Sequence, residues 1–539
     1  MKNLKKILIP VALAVTMSLS AFLVACGKEE DNPDPGPGPV TPTEEAWHNE
    51  KIWLEKNPLV PTDEAVFPED INFNRTTNGS VHDPSIFEDP VSGAYYAYGT
   101  HYAVAKTYSL SNAYMNTDDG GWEQVTSDND FSIFGGTAAT YGGLKYPSVI
   151  EETINLVKPT NNDSSASTWS IWAPDVEYIN GKYYLYYSLT KAFGSRESAI
   201  GRVEADSPEG PFENNKIIVN SIGGSGLDPN CIDSELFYDK DGNLYMVYGS
   251  STGGIYVLDL EKDGENVGLP KAGQGFGTRV WRQGNNVEGP FIYYNASTEY
   301  YYLMTSYNSL MSNYNMHVAR STSPKGPFVG IDGKDVAVDG DGNLVSGNFQ
   351  LDRNGKGVSP FAAMGHNSVI KDEDGKYYAV YHARRISVVG NATQGTVSSP
   401  HLIYVSQIYF NEEGWPVMSP TPCVGETRGT MTNEQVAVSY DVVLHERPTT
   451  IDDKKNIATF VKSAAYTLTA DGKVTGTGTA TDSWTLKDGY YIELTVKGVT
   501  YKGVVAPGWD TYVSGANQKA VVTITAVSAT GQSLWAVQK

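Results

Sequence analysis

The sequence predicts an all-β protein, a five-bladed β-propeller followed by a small antiparallel β-barrel or sandwich domain. Composition is the first reason: of 539 residues 40% are hydrophobic and 19% charged, a globular balance, and 35 Tyr with 54 Gly suit short strands joined by tight turns. The second is a tyrosine-rich strand signature that recurs five times between residues 80 and 385. The third is a change of pattern near Asn433, where the repeat gives way to alternating segments such as AAYTLTADGKVTG, SWTLKDGYYIELTV and AVVTITAVSA.

Taken from the N-terminus, Lys2, Lys5 and Lys6 precede an apolar run from Ile7 to Ala25, the layout of a secretory signal over residues 1–25. The string Leu23-Val24-Ala25-Cys26-Gly27 resembles the lipobox of bacterial lipoproteins, which implies lipidation of Cys26 and an outer-membrane lipoprotein exposed at the cell surface. Residues 26–45 are acidic and rich in Pro and Gly, so they cannot bury surface and read as an extended tether. Membrane contact is then expected only through that lipid. Residues 46–430 are assigned to the propeller and 433–539 to the C-terminal domain. The remaining cysteines, Cys231 and Cys423, do not make a disulfide framework and are compatible with one pair or with two free thiols.

The repeat copies are AYYAYGT at Ala94, KYYLYYS at Lys182, NLYMVYGS at Asn243, EYYYLMTS at Glu299 and KYYAVYHA at Lys376. Alternating aromatic and small side chains after a turn describe the second strand of a hairpin. Five hairpins closed in a ring leave few exposed edges. Their first strands align by an apolar position as Asp83-Pro-Ser-Ile86, Ala173-Pro-Asp-Val176, Asp233-Ser-Glu-Leu236, Glu288-Gly-Pro-Phe291 and His366-Asn-Ser-Val369. In a propeller the innermost strands run along the axis, so this register is expected to gather Asp83, Asp233, Glu288 and His366 at one level of the channel. Each has an ordinary explanation alone, as a turn residue, a solvated carboxylate or a structural histidine. Three carboxyl groups at one strand position in three hairpins are hard to explain by folding, because grouped like charges destabilise the folded state.

Such a set suits hydrolysis of a glycosidic bond with inversion. That reaction needs a carboxylate base for water and a carboxylic acid for the leaving oxygen, roughly 6.5 to 9.5 Å apart, and a third carboxylate raises the acid's pKa by like-charge repulsion. The net charge of −22 excludes nucleic acid and anionic lipid as natural partners and favours an uncharged polymer. GxSxG, Walker, GxGxxG, CxxC, HExxH and EF-hand patterns are all missing from the sequence.

In order, the strings HDPSIF, IWAPDV, NCIDSELFYDKDG, VEGPFIYY and GHNSVIKDEDGKYY resemble glycoside hydrolase family 43, and within it the arabinan endo-1,5-α-L-arabinanases. The resemblance covers residues 80 to 385. It implies an inverting mechanism with Asp83 as general base, Glu288 as general acid and arabinan or arabino-oligosaccharides as substrate. For the pKa-modulating Asp, both Asp175 and Asp233 are candidates. Asp233 shares the register of Asp83 and Glu288, whereas Asp175 lies two residues further along its strand, about 6.5 Å away. Asp233 is therefore assigned the tuning role and Asp175 a supporting one. His366 resembles the family's axial histidine, which implies one hydrated calcium ion in the channel, an unusual arrangement for a cation that prefers oxygen ligands.

The resemblance also places substrate contacts at Asn230, Cys231 and Ile232 and at Ser250, Ser251 and Thr252, with Trp172 open to sugar stacking or blade packing. Both segments depart from the arabinanase pattern, in which NAID-Pro and SFW stand where this chain has Asn230-Cys-Ile-Asp-Ser234 and Ser250-Ser-Thr252. The departures bear on substrate length and endo action rather than on the acid and base. Related expectations are an exo-acting α-L-arabinofuranosidase or β-xylosidase on the same fold, and, in a different class, a glycan-binding lipoprotein without catalysis. In the C-terminal domain Trp484, Tyr491, Trp509 and Trp535 suit either core packing or glycan contact. A monomer is the expected state.

Overall fold

The computed structural model describes residues 59–539, apart from 69–78, 111–120, 161–170, 193, 285, 354, 359–360, 388–392, 447–456 and 514–517. The signal segment, Cys26 and the tether lie outside the described residues.

Each predicted hairpin is present and extends into a four-stranded antiparallel blade. Blade 1 comprises Ser85–Glu88, Tyr95–Tyr98, Val104–Thr107 and Glu123–Thr126. Blade 2 comprises Ile171–Ile179, Lys182–Thr190, Ser198–Ala205 and Glu213–Asn220. Blade 3 comprises Glu235–Tyr238, Leu244–Ser250, Gly254–Asp259 and Thr278–Trp281. Blade 4 comprises Glu288–Asn295, Tyr300–Tyr307, Asn315–Ser321 and Asn343–Leu344. Blade 5 comprises Phe361–Lys371, Tyr377–Ser387, Gln394–Phe410 and Pro416–Met418. The predicted apolar register is observed in the pairs Ile86–Ala97, Val176–Leu185, Leu236–Met246 and Val369–Ala379. First strands of neighbouring blades pack against each other, and that of blade 5 packs against that of blade 1, so the ring closes.

The tyrosines of the signature explain why the blades stack. Tyr96, Tyr98 and Phe87 of blade 1 pack with Tyr183, Leu185 and Val203 of blade 2, while Tyr184 and Tyr186 of blade 2 pack with Leu236, Tyr238 and Met246 of blade 3. Several of their hydroxyls reach polar partners, Tyr98 the Pro208 carbonyl at 2.6 Å and Tyr186 the Gly268 carbonyl at 2.8 Å. The rings of Tyr96, Tyr98, Tyr183 and Tyr186 thus bury their apolar bodies and keep their polar tips satisfied.

The C-terminal region is a barrel rather than a sandwich. Eight strands run in the spatial order Val474–Thr475, Ala464–Leu468, Ser439–His445, Ser533–Gln538, Ala520–Ser528, Val499–Trp509, Tyr491–Val496 and Trp484–Lys487. The two ends meet through Val474 N–H to Asp482 O and Trp484 N–H to Gly472 O. Trp484, Tyr491, Trp509 and Trp535 are all buried, which settles these four on packing rather than on glycan contact.

The described residues form one compact unit. The chain between the barrel's first two strands returns to the propeller, where Ile457–Thr459 pairs with the third strand of blade 5 and Val461–Lys462 pairs with Phe349–Arg353. Arg353 enters the junction and meets Asp441 at 2.7 Å and Asp510 at 3.2 Å, all three groups buried.

Candidate active site

Asp83, Asp233 and His366 occupy one structural position, just where the first strand of each blade kinks. Their φ angles are 54°, 56° and 49°, in the left-handed region that L side chains avoid. The fourth member corrects the sequence register. In blade 4 the kinked residue is Gly289 (φ 57°), and Glu288 precedes it by one, pairing with Ser306 as Trp172 pairs with Ser188 in blade 2. The cause is the choice of apolar anchor: the same bulge follows in blades 2, 4 and 5, and the residue of blade 4 that takes the place of Val176 and Val369 is Ile292, paired with Leu303, so alignment on Phe291 sets the register one residue early. Glycine is required at 289, because besides its positive φ a Cβ there would lie 2.9 Å from Cγ of His366.

Asp83 is held on every side. Thr100 Oγ1 donates to its Oδ2 at 2.6 Å, and the ring nitrogens His366 Nδ1, His82 Nε2 and His382 Nδ1 lie 3.1, 3.2 and 3.3 Å from its Oδ1. Burial pushes its pKa up, but the charge of His366 beside it, helped by the hydrogen bond from His366, outweighs that and holds it well below the usual carboxylate range. His366 moves the other way. Burial disfavours its cation, yet Asp83 first and then Asp233 and Glu288 push it up to about 9.

Glu288 takes the opposite course to Asp83. Burial first, and then the neighbouring Asp233, push its carboxyl well up, against a hydrogen bond from Tyr314 OH to Oε1 at 2.8 Å. Asp233 is also raised, mainly by burial, against the opposing charge of His366. The Gly289 N–H donates to Asp233 Oδ2 at 3.3 Å, tying the strand of Glu288 to its neighbour. One carboxyl group is therefore kept ionised and one kept protonated around a common histidine.

Asp175 sits one layer deeper, as its position in the strand predicts. Its Oδ1 accepts from Ser85 Oγ at 2.8 Å and its Oδ2 from the Leu236 N–H at 2.8 Å, joining blades 1, 2 and 3. Among the residues expected to touch substrate, Asn230, Ile232, Ser251, Thr252 and Trp172 are partly exposed. Asn230 Nδ2 donates to the buried Ser250 Oγ at 3.1 Å, and the Trp172 indole donates to Thr190 Oγ1 at 2.7 Å. Cys231 is a correction: its side chain is fully buried in the core between blades 2 and 3, in the segment before the strand where its N–H donates to Ser198 Oγ of blade 2 at 2.7 Å, and it offers no surface to a ligand. Both cysteines are free and buried.

Tyr314, Thr100, His82 and His382 were absent from the sequence reading. His82 had a signal in its place beside Asp83, and Thr100 and His382 are the last and next-to-last residues of two repeat strings, whereas nothing marks Tyr314. His82, His382 and His401 pack together, with His82 and His401 stacked at 4.0 Å, and burial lowers the pKa of all three. One ring nitrogen of each lies within 4.8 Å of the others. The Asp83 N–H nevertheless donates to His382 Nδ1 at 2.9 Å, whereas a metal-bound imidazole uses its second nitrogen as a donor. The cluster is thus set up to support the Asp83 backbone rather than to bind a transition metal.

Comparison with known proteins agrees with this geometry. Residues 149–416 match the glycosyl hydrolases family 43, and residues 420–536 match the C-terminal lipocalin-like domain found with it. The chain is 34% identical over 494 residues to an extracellular endo-α-(1→5)-L-arabinanase of Thermotoga petrophila, covering 85% of this chain and 93% of the relative. It is 30% identical over 485 residues to extracellular endo-α-(1→5)-L-arabinanase 2 of Bacillus subtilis, covering 85% and 92%. The crystal structure of the Thermotoga petrophila endo-1,5-α-L-arabinanase superposes with a TM-score of 0.69 at 32% identity, covering 86% of this chain and all of that one. A second, of a family 43 protein from Bacillus licheniformis, gives 0.69 at 30% identity, covering 89% and 99%. With an ionised and a protonated carboxyl group set around one axial histidine in a five-bladed ring, and with relatives matched along nearly their whole length, this chain belongs to glycosyl hydrolase family 43.

Proposed function

We propose that the protein hydrolyses internal α-1,5-L-arabinofuranosidic bonds of arabinan with inversion. The observation that carries this is the divergence of two carboxyl groups, the buried Asp83 held low and the half-buried Glu288 held high. Asp83 takes a proton from a water molecule, whose oxygen attacks the anomeric carbon. As the glycosidic C–O bond breaks, Glu288 gives its proton to the leaving oxygen. Asp233 keeps Glu288 protonated through its charge, and His366 holds Asp83 in position and ionised. The two relatives named above share the fold and the enzyme class, which supports the choice of arabinan.

A hydrated calcium ion suits the channel at His366. The cavity there is lined by Asp83, Ser85, Asp233, Ser234, Glu235, His366 and Asn367, and the buried Ser234 Oγ and Asn367 Oδ1 have no protein hydrogen-bond partner among the described residues. Oxygen atoms of that kind match the preference of calcium, with His366, Asn367 and the carboxylates holding it through water. The ion would supply a fixed positive charge to the channel. Export with a lipid on Cys26 is the matching location, supported by the Leu23–Gly27 string and by the extracellular relatives.

Product sizing on linear arabinan tests the reading: early oligosaccharides support it, steady monosaccharide release indicates exo action, and no product removes it. Glu288→Gln is expected to fold and bind oligosaccharide while losing at least about a hundredfold in turnover.

A further inference from the structure

The left-handed kinks that aim the site residues cost about 1–3 kcal/mol each and persist only if their surroundings hold them. What holds them comes in each case from the preceding blade. The Asp233 N–H donates to Ser188 Oγ of blade 2 at 3.0 Å, the His366 N–H to Ser306 Oγ of blade 4 at 2.7 Å, and the Asp83 N–H to His382 Nδ1 of blade 5 at 2.9 Å. Ser188, Ser306 and His382 are themselves equivalent. Each stands on the second strand of its blade, opposite the residue just before the kink: Trp172, Glu288 and Gly365 respectively. All three acceptors are buried, so an amide that loses its acceptor has no ready replacement.

The two remaining equivalents depart from the pattern in ways that serve the site. In blade 3 the position is Gly249, whose N–H bonds the Ile232 carbonyl opposite it. Having no side chain, it leaves the Gly289 N–H of blade 4 to donate to the Asp233 carboxylate instead. In blade 1 the position is Thr100, opposite His82, and its hydroxyl donates to the Asp83 carboxylate. The following blade has no positive-φ kink at Ala173 to hold.

We propose that this ring of equivalent second-strand positions is the device that orients the catalytic groups, and that Thr100, Ser188, Ser306 and His382 are positioning residues acting through Asp83, Asp233 and His366. The proposal rests on the hydrolase reading for its effect on turnover, but its geometric claim stands apart from it. Because the latches aim groups that act in the transition state and touch no sugar, their removal lowers kcat and leaves KM.

Ser188→Ala and His382→Leu each remove an acceptor, and His382→Asn puts an amide oxygen near the place of Nδ1. With full-length protein and linear arabinan, Ser188→Ala and His382→Leu are expected to lower kcat about 10- to 100-fold with KM within about twofold, and His382→Asn to recover most of the loss. Amide hydrogen exchange is expected to quicken about tenfold or more at Asp233 in Ser188→Ala and at Asp83 in His382→Leu, with the rest of the propeller unchanged. If His382→Leu does not fold, Ser188→Ala, a much smaller change, decides. Unchanged exchange at these amides, kcat within about threefold of wild type, or a His382→Asn variant no better than His382→Leu would overturn the proposal. Wild-type protein that releases nothing from arabinan would instead sink the hydrolase reading, and the exchange measurement would still decide the latches.

Discussion

Tyr314→Phe isolates a single hydrogen bond at the proposed acid. The ring is fully buried, stacks on His382 with centroids 5.6 Å apart, and stays in place in the variant, so only the 2.8 Å bond from the hydroxyl to Glu288 Oε1 is lost. That bond favours the ionised carboxylate and opposes the upward push of burial and Asp233. A hydrogen bond to a charged group contributes about 1.5–3 kcal/mol, and one pKa unit corresponds to about 1.4 kcal/mol. Its loss should therefore raise the pKa of Glu288 by about one to two units. The acid works when protonated, so activity falls as pH rises through its pKa. The alkaline limb of kcat/KM, measured as reducing ends released from linear arabinan, is expected to move to higher pH by that amount, even though kcat falls from looser positioning. A limb that stays in place or moves to lower pH would show that Glu288 is not the group whose protonation limits the rate, or that Tyr314 does not reach it.

Asp233→Asn should move the same limb the other way, to lower pH, because it removes a like charge that helps keep Glu288 protonated; the pH profile of kcat/KM checks the sign. In calcium-free protein, His366 has a folded pKa near 9 against an ordinary value of 6.5, so its stabilisation is complete below pH 6.5 and disappears as pH rises through 9. Melting temperatures across that window should fall more steeply for wild type than for His366→Asn. Arg353→Ala leaves Asp441 and Asp510 buried without their guanidinium and is expected to cost about 3–5 kcal/mol in urea unfolding.

Much of the architecture was legible because it depends on local alternation. The tyrosine strings, the turns before them and the apolar anchors Ile86, Val176, Leu236 and Val369 specify two-stranded pairing by period and turn chemistry, and the observed pairs follow them. Asp83, Asp233 and His366 fell into register for the same reason. Glu288 did not, since Phe291 and Ile292 are both apolar and only the pairing of Ile292 with Leu303 shows which of them takes the anchor position. The inward turn of Cys231 was missed likewise, because its segment precedes the strand and takes its direction from packing against blade 2.

The sequence by itself determined the repeat, the strand polarity and the residue types at each kink, all matters of spacing along a few neighbouring residues. Only the closed ring decided what those residues meet. Ser188 lies 45 residues from Asp233 and His382 lies 299 from Asp83, and they touch because blade 5 packs back onto blade 1 and each second strand faces the next blade's kink. The opposite shifts of Asp83 and Glu288 are decided there too. Burial acts on both, and the sign of the result depends on whether a protonated histidine or another carboxylate stands nearest, a distance that exists only after the chain has folded.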